Sequence, residues 1–119
     1  MTTKNVESWR HVGDICLKDA RQPALSKRSR SDAAFDACYM YARCILGEES
    51  ERPEHPDPSV LNDAAAELHW AVSVMRPARQ HLYKRYAPLR DDRYYDALMA
   101  LVLQLEAAAS ADGISAGGH

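Results

Sequence analysis

Apolar positions recur at helical intervals along most of this chain. In residues 31–46, SDAAFDACYMYARCIL, Phe35, Cys38, Ala42 and Ile45 fall on one stripe, with Tyr39 and Leu46 beside it. Steps of three and four residues mark a buried helical face. Ser29 or Ser31 can cap its start, and Gly47 is a natural stop. The other helices are expected to gather around this segment.

Before it, residues 5–20 carry Val6, Trp9, Val12 and Cys16 at the same spacing, with Ile15 and Leu17 flanking and Gly13 as a weak point. Pro23 interrupts the connection that follows, and Leu25 is an apolar plug within it. After Gly47 comes an acidic, proline-bearing loop to residue 58, holding Glu48, Glu49, Glu51, Glu54 and Asp57 against Arg52. Asp57 followed by Pro58 is a helix start. The third helix is expected over 58–75, with Val60, Leu61, Ala64, Leu68, Val72 and Met75 inward. Pro77 should kink or break it, and a continuation over 78–86 follows at a changed angle. Asp91 or Asp92 caps the fourth helix, which runs to residue 109 and buries Tyr95, Leu98, Leu101, Val102 and Leu105. Residues 110–119, rich in Ala, Gly and Ser, read as a disordered tail.

The pattern predicts an all-α, up-and-down four-helix bundle with a proline-kinked third helix, one domain over 5–109. No segment alternates with the period of a strand, and no stretch repeats. Alanine dominates the 46% apolar fraction. That favours close helix approach and dimerisation to complete the core.

The net charge of −2 gives no global pull toward nucleic acid or membrane. No apolar run approaches the roughly 18 residues of a membrane helix, and no signal peptide is read, so a cytoplasmic protein is expected. Cys16, Cys38 and Cys44 form no C-x-x-C pair and read as reduced thiols, Cys38 in the core and Cys44 more exposed. His69 is two residues from Glu67 and reads as a partly buried helical residue. No Glu-x-x-His or His-x3-His pair exists, so neither a metal site nor a cofactor is expected.

Chemistry concentrates in residues 76–86, RPARQHLYKRY. On a helix, Arg79, Tyr83 and Tyr86 share one face, and Arg76, Gln80 and Lys84 the next, with Arg85 completing a basic run that contains no acid. Arginine takes phosphate bidentately and tyrosine stacks on bases. The plainer alternative is a solvated basic face with tyrosines packed at its edge.

Leu17-Lys18-Asp19-Ala20, Ala24-Leu25-Ser26 and residues 31–39, SDAAFDACY, together resemble the opening of HEPN domains. The resemblance extends over residues 5–109. It implies a small helical bundle, commonly homodimeric, linked to toxin–antitoxin and nucleotidyltransferase-associated systems, with a nucleotidyltransferase or an antitoxin as partner. In active members a late helix carries Arg, a polar residue and, after a few more, His, often followed by x-Tyr. This implies metal-independent RNA cleavage at a dimer cleft, Arg holding phosphate and His acting on the 2′-hydroxyl. Two registers compete. Arg76 and His81 keep the Arg-x4-His spacing, with Pro77 at the polar position. Arg79, Gln80 and Tyr86 keep the Arg, the amide and the final Tyr, with Lys84 where His belongs. An unperturbed lysine titrates near about 10.4 and is a poor base at neutral pH. A degenerate module binding a partner protein, a nucleotide or RNA through Arg79, Gln80, Lys84, Arg85 and Tyr86 is therefore expected. The alternatives are a ribonuclease using Arg76 and His81, and a purely structural bundle.

Overall fold

A computed structural model describes the backbone at residues 2–47, 57–87 and 92–117 and the side chains at 8–47, 57–87 and 92–110. Among these residues every regular element is helical: α1 (Thr2–Ala20), α2 (Lys27–Leu46), α3 (Pro58–Glu67), a 3-10 turn (Val72–Met75), α4 (Arg76–Lys84) and α5 (Tyr95–Gly117). The expected acidic loop falls on residues 48–56, outside the described residues, as do residues 118–119 of the expected tail. None of the described helices is long and apolar enough to cross a membrane.

α2 is the hub. It packs most extensively along α1, next along α5, and touches α3 and α4 as well. Its stripe is buried as its spacing predicts, with Phe35, Cys38 and Ala42 fully enclosed. The helix starts one turn earlier than its apolar pattern. Ser26, not Ser29 or Ser31, is the N-cap and accepts from the Ser29 amide at 3.1 Å. Losing that cap in Ser26→Ala is expected to lower the unfolding free energy by about 1 kcal/mol, read by urea denaturation. Gly47 ends the helix at φ 59°, a conformation glycine adopts without a Cβ penalty.

α1 presents a different face from the expected one. Leu17 and Ala20 are buried and Trp9 and Cys16 pack against the core, whereas Val12 and Ile15 are exposed. Gly13 decides this rotation, because α2 comes so close there that a Cβ would lie 2.8 Å from the Tyr41 ring.

The expected third helix is two helices, and its break is not at Pro77. α3 ends at Leu68, where the His69 amide donates to the Ala66 carbonyl and the Trp70 amide to that of Ala65. This is the Schellman arrangement, with His69 at φ 59° in the position glycine usually fills. His69 is therefore exposed and outside the helix, not a partly buried helical residue. Val72, expected inside, is 44% exposed, while Met75 is buried from the 3-10 turn. Pro77 sits in the first turn of α4, where a missing amide hydrogen costs no hydrogen bond. His69→Gly is expected to be neutral or to stabilise by up to about 1 kcal/mol, checked by thermal melting.

α5 buries Leu98, Leu101, Val102 and Leu105 as read from the sequence, and continues past residue 109 to Gly117. Its first residue is a clamp. The Tyr95 hydroxyl donates to the Ala20 carbonyl at 2.6 Å, and the Arg30 guanidinium lies 5.1 Å from the centre of the Tyr95 ring. One side chain thus ties together the end of α1, the first turns of α2 and the start of α5.

Candidate functional site

α4 has two chemically different faces. Its inner face turns Ala78 and His81 onto α2, and Arg85 follows just past the helix end. His81 is 7% exposed, and its Nε2 hydrogen-bonds Asp32 Oδ1 at 2.8 Å. Its ring stacks on Phe35 at a centroid distance of 5.4 Å. The Arg85 guanidinium sits 3.8 Å from Asp32, 3.6 Å from Asp36 and 5.1 Å from the centre of the Phe35 ring. Two i, i+4 pairs therefore face each other: Asp32 and Asp36 on α2, and His81 on α4 with Arg85 just past its end. The run expected to contain no acid is neutralised from a neighbouring helix, so Arg85 is not available as a solvated phosphate ligand.

Partial burial pushes the Asp36 carboxyl above its ordinary value, Arg85 pulling it down and Asp32 pushing it further up. The raised value means the folded state holds this proton more tightly than the unfolded one. Asp36 thus opposes folding once ionised. Its contribution is lost as a penalty when the pH falls through the raised value. Asp36→Asn is expected to flatten the pH dependence of the melting temperature just above the usual carboxylate range. The carboxylate is 44% exposed, so the effect is small.

The outer face carries the remaining candidates. Arg76 and Lys84 are exposed, as are Tyr83 at 72% and Tyr86 at 82%. Lys84 Nζ lies 5.5 Å from the centre of the Tyr94 ring, and Arg85 is 5.5 Å from that of Tyr86. Arg79 is half-buried and donates to Asn62 Oδ1 at 3.3 Å, which ties α4 to α3. Gln80 is half-buried as well.

Arg76 and His81 do not meet within one chain. Arg76 lines a concavity of about 510 Å³ with Ser73, Val74, Pro77, Ala97 and Ala100. His81 lines another, with Ser31, Gln80, Lys84 and Tyr94, of about 10 Å³. That is room for about one water and not for a nucleotide. The two side chains start about 140° apart on a regular helix, and the buried one is turned onto α2.

The thiols are not nucleophiles in waiting. Cys44, expected to be more exposed, is buried, and burial holds the Cys38 thiol far above its ordinary value. Cys16 is pushed up to about 11 by desolvation first, then by Asp36 and Asp19. All three are expected to resist alkylation by iodoacetamide at neutral pH in the folded protein. Among the described residues, no group of His, Cys, Asp and Glu is arranged to hold a metal ion.

Asp32 and Asp36 escaped notice in the sequence. The signal was there, since an Asp-x3-Asp pair bracketing Phe35 matches His81-x3-Arg85 in spacing and opposes it in charge. No protein-family model, curated protein or solved structure matches the chain.

Proposed function

We propose that this chain is a HEPN-like helical module that binds single-stranded RNA without cleaving it. On this reading it works as a cytoplasmic homodimer, its helices forming one bundle around α2. The observation that carries the binding half is the outer face of α4. Tyr83 and Tyr86 stand far out in solvent on a segment that also exposes Arg76 and Lys84, and aromatic and cationic side chains of this kind take unstacked bases and backbone phosphates. The observation that carries the absence of turnover is His81. A general base must reach its proton, and this imidazole is nearly enclosed, turned onto α2 with its Nε2 on Asp32 and one ring face on Phe35.

Fluorescence anisotropy of a labelled single-stranded RNA tests the binding half. Tyr83→Ala and Tyr86→Ala are each expected to weaken binding about tenfold, the worth of one stacked base. With Arg76 and Lys84 on two phosphates, a fourfold rise in salt should weaken it about sevenfold. Unchanged affinity in both tyrosine variants would remove the reading. Capture of a protein partner through the same face, with no RNA affinity, would replace it.

A further inference from the structure

A third concavity, sharing no residue with α4, lies between α1 and the C-terminal part of α5 and has a volume of about 320 Å³. Arg10, Lys18 and Arg21 line it from α1 and the residue just past its end. Among the described residues, none of these three cations makes an ion pair. Asp14 also lines the site, but one of its carboxylate oxygens accepts from the Tyr41 hydroxyl. That phenol is held protonated, its pKa raised by burial first and by Asp14 next. The opposite wall, from α5, offers Glu106 and Ser110.

The lining sets three cations, Arg10, Lys18 and Arg21, against two carboxylates, Asp14 and Glu106, and the excess positive charge favours an anion at the Lys18 and Arg21 end. Lys18 and Arg21 are three residues apart, about one turn, and suit one phosphate group. Arg10 is about 12 Å from Lys18 along the axis and faces the far end of a small molecule. Glu106 and Ser110 accept hydrogen bonds from hydroxyls. Among the described residues no aromatic ring lines the hollow, so it offers no aromatic platform for a base. The volume is at the low end for small-molecule sites.

We propose that this hollow binds a sugar phosphate, its phosphate on Lys18 and Arg21 and its hydroxyls toward Glu106, Ser110 and Arg10. The test is a titration of the isotope-labelled full chain with ribose 5-phosphate, followed by amide shifts, with inorganic phosphate and ribose as comparison probes. Saturable shifts confined to α1 and the end of α5 are expected, with a Kd of about a millimolar or tighter. The double variant Lys18→Gln/Arg21→Gln should weaken ribose 5-phosphate at least about tenfold, and Arg76→Gln on the α4 face should leave it unchanged. Glu106→Gln should weaken ribose 5-phosphate about fivefold and inorganic phosphate not at all. The changed side chains are exposed or half-buried, so amide spectra of the variants are expected to keep their folded dispersion. Shifts reproduced by sodium chloride at equal ionic strength would overturn the proposal. So would undiminished binding in the double variant, or ribose binding as tightly as its phosphate. Because α4 takes no part, loss of this site and loss of the RNA face are read separately.

Discussion

Replacing His81 with alanine is expected to lower the unfolding free energy by about 3 kcal/mol. The ring is nearly enclosed and lies on Phe35, so its removal leaves a void that rigid helix backbones do not close. The Asp32 bond at 2.8 Å goes with it. Asp32 itself is 31% exposed and keeps Arg85 at 3.8 Å, so water and the guanidinium cover most of its lost pairing. The void and the missing hydrogen bond therefore set the magnitude, and the stranded carboxylate adds little. Urea denaturation reads the change, which is a large share of the roughly 5–15 kcal/mol a small domain has. His81→Gln keeps a donor and more of the volume, and should lose only about half as much. A cost below about 1 kcal/mol for His81→Ala would mean that the imidazole is not a structural part of the α2–α4 contact.

Gly13→Ala is expected to destabilise by about 2 kcal/mol, although alanine is the better helix former. In an open helix the change would gain about 1 kcal/mol. Here the new methyl meets Tyr41 at 2.8, 3.0 and 3.2 Å from three ring carbons. The ring has no easy retreat, being fully buried with its hydroxyl bonded to Asp14. Overpacking of this kind costs about 1–3 kcal/mol and outweighs the propensity gain. Thermal melting of Gly13→Ala alone and with Tyr41→Leu separates the two effects. In the Tyr41→Leu background the glycine replacement should become neutral or stabilising. A stabilising Gly13→Ala in the native background would contradict the close α1–α2 approach.

The α2 stripe was legible because burial there follows helical spacing alone, with Phe35, Cys38, Ala42 and Ile45 all inside. The same rule misled where a contact rotated or ended a helix. Val12 and Ile15 keep an apolar period, but Gly13 is what α2 approaches, and that turns them outward. Leu68, Val72 and Met75 continue the period of α3 across a break made by His69 in a left-handed conformation, a residue with no reputation as a stop signal. Pro77 carried the visible warning, yet it opens a helix. In the candidate site, residue types were legible and pairing was not. Nothing within 76–86 tells that Arg85 and His81 face inward while Tyr83 and Tyr86 face out. That division depends on Asp32 and Asp36, some 49 residues from His81 in the case of Asp32.

The most direct test of binding without turnover is incubation of a mixed RNA pool with the wild-type protein in EDTA, resolved on a gel beside His81→Gln. Intact RNA with both proteins, at concentrations where anisotropy registers a complex, is the predicted result. RNA cut by the wild type and spared by a folded His81→Gln would contradict it, and would make the Asp32-bonded imidazole the base of a metal-independent nuclease.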